Sequence, residues 1–137
     1  MEMKIYCDGG SRGNPGPSAS AIVVKLDNKL IHKASNYLGQ QTNNYAEYSA
    51  LIMGLSWIYN FEKKDRLSKI DIFMDSELVV RHMKGLYKVK SKNIKPLFLK
   101  AKNLENKINI PLKYYSVPRD KNKLADKLVN LSIDASI

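Results

Sequence analysis

Apolar and polar residues alternate with period two at the start of the chain. Met3, Ile5 and Cys7 fall on one side of an extended segment, and Lys4, Tyr6 and Asp8 fall on the other. This is the pattern of a strand covered on one face. Residues 19–26, rich in Ile and Val, predict a second strand. Asp27-Asn28 predicts a tight turn into a third strand over residues 29–38, which completes an antiparallel meander. The period then changes. From Asn44 to about Phe61, the residues Tyr48, Leu51, Ile52, Leu55, Ile58 and Tyr59 share one helical stripe, and Thr42, Asn43 or Asn44 can supply the N-cap. Residues 70–74 read as a short apolar strand. Residues 76–84 read as a helix capped by Ser76 and stopped at Gly85. Asn93 is placed to cap a further helix with Pro96 in its first turn and Leu97, Leu99 and Leu104 among its apolar positions. Residues 112–117 predict a fifth strand, and Asn122 opens a last helix reaching about Asp134.

The order β-β-β-α-β-α-α-β-α implies an α/β fold with a mixed five-stranded sheet and helices on its faces. The first three strands are antiparallel. Strands one, four and five are mutually parallel, joined by right-handed crossovers. At 137 residues the chain fits a single domain, residues 1–137. No repeat, low-complexity tract or linker interrupts it.

Charge narrows the function classes. The net charge is +10, and residues 81–107 carry nine basic residues against one acid, Glu105. Such a balance favours a polyanionic partner, either nucleic acid or an anionic membrane surface. No apolar run is long enough to span a bilayer. The opening MEMKIYC passes directly into a strand pattern, leaving no room for a signal peptide. The single cysteine, Cys7, excludes an intramolecular disulfide and a cysteine metal cluster, so a reducing, cytoplasmic setting is expected.

Four acids stand where surface charges do not belong. Asp8 ends the first strand pattern and Asp75 ends the fourth. As neighbours in a parallel pair roughly 4.8 Å apart, they face one crevice at the sheet edge where such folds place their sites. Glu47 shares a helix side with Leu51, Gly54 and Ile58, and Asp126 borders the apolar stripe of the last helix. Singly, each acid also reads as a turn or helix-start residue. Together they repel one another unless a cation lies between them. A hard divalent ion is the natural counter-charge, and Mg²⁺ takes oxygen ligands from a few carboxylates and substrate phosphate. Two such ions roughly 3.5–4 Å apart serve phosphodiester hydrolysis.

The segments "DGGSRGNPGPSA", "TNNYAEYSAL", "MDSELVV" and "NKLADKLVN", in that order and on those elements, resemble type 1 ribonuclease H, closest to its compact single-domain members. The resemblance covers residues 4–134. It implies an endonuclease that cuts the RNA strand of RNA/DNA hybrids with low sequence specificity, leaving 5′-phosphate and 3′-hydroxyl ends. It implies Asp8, Glu47, Asp75 and Asp126 as catalytic ligands for two Mg²⁺, with Mn²⁺ able to substitute. It further implies Gly9, Gly10, Ser11, Asn14 and Asn43 as substrate contacts. Partners implied are the hybrid, with double-stranded RNA as a second candidate, no membrane, and a monomeric state.

Two departures from the family pattern stand out. Residues 85–93 are too short for the basic protruding helix of many members, which leaves Lys88, Lys90 and Lys92 on the connection to supply its phosphate contacts. The histidine that many members carry before the final aspartate is replaced here by Arg119, a substrate-binding candidate that stays protonated and cannot shuttle protons. His32 and His82 are assigned packing or surface roles, Cys7 a core role, and Tyr87 a possible stacking role among lysines. Alternatives from other classes are a non-catalytic nucleic-acid-binding module of the same fold, an exonuclease or resolvase of that fold, and a membrane-surface protein.

Overall fold

The computed structural model describes all residues from Met1 to Ile137. Five strands form one sheet: β1 (Glu2–Ser11), β2 (Gly16–Leu26), β3 (Lys29–Gln41), β4 (Lys69–Met74) and β5 (Leu112–Ser116). Four helices accompany them: α1 (Asn43–Tyr59), α2 (Glu77–Met83), α3 (Lys95–Ile108) and α4 (Lys123–Ser136). The sheet order is β3-β2-β1-β4-β5. β1–β2 and β2–β3 are antiparallel, while β1–β4 and β4–β5 are parallel. The element order and the mixed sheet are those the sequence predicts. No helix is long and apolar enough to cross a membrane.

Alternation builds the core. Met3, Ile5 and Cys7 of β1 join Ile70, Ile72 and Met74 of β4 against Leu51, Leu55 and Ile58 of α1, all buried. α1 lies between the sheet and α3, so it is covered on more than one side and its polar face is narrow. Tyr59, placed on its apolar stripe from sequence, is 42% exposed at the helix end. α4 packs on the opposite face of the sheet, over β1, β2 and β3, with Val129 and Ile133 against Ala19 and Ala21.

Several boundaries differ from expectation for identifiable reasons. β1 continues past Asp8 to Ser11, because Gly9, Gly10 and Ser11 pair with Ser20, Ala19 and Ser18 of β2. The turn is confined to residues 12–15. β3 runs on to Gln41 by pairing with Gly16. Asn93 does not cap α3. The cap position is Ile94, which is buried in the core and makes no side-chain cap bond. Leu99 faces out, 51% exposed. At α1 the cap is Thr42, whose hydroxyl accepts from the Tyr45 amide at 3.2 Å. The Asp27-Asn28 turn has both residues at positive φ, 47° and 69°, the geometry of a tight hairpin turn.

Candidate active site

The site forms because the parallel pairing of β1 with β4 stops at Cys7 and Met74 and one helix comes unusually close. Cys7 pairs with Met74, so Asp8 and Asp75 follow at the same level of neighbouring strands. Glu47 reaches them from α1 through Gly9. A β-carbon on Gly9 would lie 2.1 Å from the Ala46 carbonyl oxygen and 2.4 Å from the Glu47 amide nitrogen. Only glycine lets the first turn of α1 rest on β1 at this point. The glycine requirement at Gly9, read from sequence as close approach to a substrate, is set by this helix contact. Gly10 faces the other way, toward the Val129 side chain of α4.

Asp8, Glu47 and Asp75 each bring a carboxylate oxygen within 4.8 Å of the others. Asp8 and Glu47 are buried, at 4% and 6% exposure. Glu47 Oε2 and Asp75 Oδ1 have no hydrogen-bond donor. Burial is the largest cause raising the Asp8 carboxyl well above the usual carboxylate range, and the charges of Asp75 and Glu47 add to it. Glu47 is pushed up to about 8, first by burial and then by Asp75, with a Ser76 hydrogen bond and the Arg119 charge pulling it back. Anions packed this closely, with buried oxygens lacking donors, are the donor set for a hard cation. The cluster can therefore hold a divalent metal.

Asp126 lies outside that 4.8 Å group, yet its charge contributes to raising Asp8. Its position is fixed by Asn122, which is 1% exposed. The Asn122 amide donates to the Cys7 carbonyl at 2.9 Å, and the Asp126 amide donates to the Asn122 carbonyl at 3.1 Å. Asn122 thus ties the start of α4 to β1 one residue before Asp8. As the sequence predicts, Asn122 opens α4 from its N-cap position, but its side chain is turned to β1 and makes no cap bond. Arg119 Nε stands 3.7 Å from Asp75 Oδ2 with its side chain largely exposed.

The β1–β2 turn is latched to α1. The Asn43 amide donates to Asn14 Oδ1 at 3.0 Å, and the Ser11 amide donates to Asn43 Oδ1 at 3.3 Å. Ser11 Oγ donates to the Gln41 carbonyl at 2.8 Å. Lys88 and Lys90 are exposed on the α2–α3 connection. They border a groove of about 600 Å³ with Asn44, His82 and Tyr87. Tyr87 is engaged by Arg81, whose guanidinium donates to its hydroxyl at 2.7 Å and lies over its ring. His82 is a core residue, 2.6 Å from the Tyr48 hydroxyl.

The raised acids have a consequence for stability. A folded-state carboxyl pKa above its unfolded value means that the folded protein binds more protons across that window. For Glu47 the window runs from 4.5 to about 8. In EDTA, stability contributed by neutral Glu47 is present below pH 4.5 and lost as pH rises through 8. Melting curves at pH 5, 6.5 and 8 are expected to show a falling Tm for the parent and a flatter profile for Glu47→Gln. Equal slopes for the two proteins would contradict the buried-acid geometry.

A mixed sheet in the order β3-β2-β1-β4-β5, with acids meeting where the parallel pairing of β1 and β4 ends, defines the class as the ribonuclease H-like fold. A family profile described as RNase H matches residues 1–133. The bifunctional protein Rv2228c of Mycobacterium tuberculosis is 38% identical over 138 residues, covering 99% of this chain and 36% of the relative. The chain therefore spans about a third of that relative's length. Ribonuclease HI of Halobacterium salinarum is 33% identical, with 94% of this chain and 63% of the relative covered. Among solved structures, LC11-RNase H1, isolated from compost by a metagenomic approach and solved in complex with an RNA/DNA hybrid, matches with a TM-score of 0.91. It shares 40% identity, with 98% of both chains covered. The chain belongs to the RNase H family.

Proposed function

We propose that this chain is an endonuclease that hydrolyses the RNA strand of RNA/DNA hybrids, leaving 5′-phosphate and 3′-hydroxyl ends, with Asp8, Glu47, Asp75 and Asp126 holding two Mg²⁺. The observation that carries the reading is the triad of carboxylates within 4.8 Å, two of whose buried oxygens lack any donor. Family membership and the hybrid bound to LC11-RNase H1 support the substrate class. Ions bound at these acids would supply an activated water and charge stabilisation at the leaving oxygen.

The chain's own residues do the rest. Asp8 and Asp75, side by side on paired strands, present oxygens to one point, and α1 delivers Glu47 to the same point. Asn122 holds Asp126 beside Asp8. Arg119 stays protonated and faces Asp75, where it can hold a product phosphate but cannot pass a proton. Ser11, Asn14 and Asn43 keep the turn beside α1 rigid for contact with the hybrid groove, and Lys88 and Lys90 hold a phosphate backbone. Contacts to backbone and ribose position a duplex without reading its bases, so sequence preference is low. A ribose 2′-hydroxyl distinguishes the strand to be cut.

Product mapping on an internally labelled hybrid tests this reading. Internal cuts confined to the RNA strand, with 3′-hydroxyl ends, are expected. Trimming from an end, nicking of a junction, or binding without cutting would replace it. Ligation of Mg²⁺ also predicts a thermal signature. Ligands must lose protons to bind metal, so added Mg²⁺ should raise Tm more at pH 8 than at pH 5. Equal gains at both values would remove the acids as ligands.

A further inference from the structure

α4 is held to the sheet by little apolar contact. The cluster beneath it has four buried residues, Ala19, Ala21, Val129 and Ile133, against 21 in the core on the other face. Two of the four are alanines, so the helix rests on a shallow floor of small side chains. Apolar contact is non-directional, and one this thin leaves the helix free to shift or roll by small amounts. Asp126 is carried by this helix and stands just beyond the three acids that meet. Its reach therefore depends on how α4 is seated, and polar ties set that seating.

Asn122 is the tie at the helix start. A second tie lies further along. Arg12, in the β1–β2 turn, donates through Nη2 to the Asn130 carbonyl and to Asn130 Oδ1, each at 3.3 Å. Its Nη1 pairs with Asp134 Oδ1 at 2.5 Å. Asn130 and Asp134 are neighbours on one side of α4, four residues apart. The planar, multi-donor guanidinium spans them as a single ammonium cannot. Asn130 passes the tie on, because its side-chain amide donates to the Asp126 carbonyl at 3.0 Å. Arg12 also has a fixed base: its backbone amide donates to the Pro17 carbonyl at 2.9 Å. On its other flank the turn is latched to α1 through Asn14 and Asn43. One turn thus braces the helix that carries Glu47 against the helix that carries Asp126.

We propose that Arg12 is a positioning residue, which holds α4 against the β1–β2 turn and so sets where Asp126 stands relative to Asp8. The inference rests on the reading of Asp126 as a metal ligand. Arg12 touches none of the acids of the site and acts on them only through Asn130 and the seating of α4. An exposed ion pair adds little stability, so its effect belongs to the pose of the helix and not to the melting temperature.

The test uses the full chain. In EDTA, Arg12→Ala should melt near the parent, while amide exchange quickens over residues 126–134 and α1 keeps its parental protection. Mg²⁺ is then titrated and followed by amide chemical shifts at Asp8, Asp75 and Asp126, which reads binding without cleavage. The midpoint should rise about 10-fold in Arg12→Ala, the lower end for residues that orient metal ligands. Arg12→Lys keeps the charge without the fork and should fall between the two. In an Asp126→Asn background the effect of Arg12→Ala should vanish, because the residue acts through Asp126. At saturating Mg²⁺ the KM of Arg12→Ala for the hybrid should be parental. A parental midpoint in Arg12→Ala, or an undiminished effect of that substitution beside Asp126→Asn, would overturn the proposal and leave the nuclease reading standing. Absence of Mg²⁺ shifts at the acids of the parent would instead remove the nuclease reading, and this inference with it.

Discussion

Asp8→Asn is expected to lower hybrid cleavage by more than about 100-fold while raising the melting temperature of the metal-free protein. Under the proposed function the activity loss follows from removing a metal ligand; even residues that only orient metal ligands typically cost about 10–100-fold. The stability gain follows from the same geometry. The Asp8 carboxyl is buried and faces Asp75 and Glu47, so a neutral amide of similar size removes both the desolvation cost and the repulsion. A gain of a few degrees is expected in EDTA, diminishing when Mg²⁺ stabilises the parent. Opposite signs for activity and stability mark a site built against the fold's own preference. A variant that lost activity and Tm together would place Asp8 in a structural role.

Gly9→Ala carries the second large effect. The new methyl would meet the backbone of Ala46 at 2.1 Å, and a helix backbone cannot rotate away as a side chain can. The cost belongs at or above the upper end for overpacking, about 3 kcal/mol. Tm should therefore fall by roughly 10 °C. Because the methyl pushes α1, Glu47 moves with it, and a displacement near 1 Å can cost about 100-fold in rate. Gly10→Ala is the internal comparison. Its methyl would meet only the Val129 side chain at 3.4 Å, so a loss within about 1 kcal/mol is expected. Equal melting losses in the two variants would contradict the close seating of α1 on β1.

The strand arrangement and helix placement were legible because β1 alternates with period two, β2 is a continuous Ile- and Val-rich run, and Leu51, Leu55 and Ile58 recur at helical spacing in α1. The acids were legible because each interrupts or borders an apolar pattern, as Asp75 does after Ile72, Phe73 and Met74. What sequence could not show depends on contacts between distant segments. "GGSRGNPG" reads as one long turn, yet its first three residues are strand, since their amides pair with β2. The helix contact that requires Gly9 is not visible until α1 is placed over β1. Asn122 opens α4 as the sequence predicts, but its tie to the Cys7 carbonyl spans 115 residues and leaves no local signal. Tyr6, Phe73 and Tyr115 carry no joint signal in sequence, because only the parallel register of β1, β4 and β5 aligns their rings. Asp126 was placed with the other acids, and the structure sets it just beyond the three that meet.

A divalent-ion titration of cleavage, run on matched RNA/DNA hybrid, RNA duplex and DNA duplex, tests the central claim most directly. The account predicts no cutting in EDTA, activity that rises with Mg²⁺, and scission of the RNA strand of the hybrid with the DNA duplex untouched. Hybrid cleavage that persists undiminished in EDTA, or that Mg²⁺ fails to restore after EDTA is removed, would contradict it.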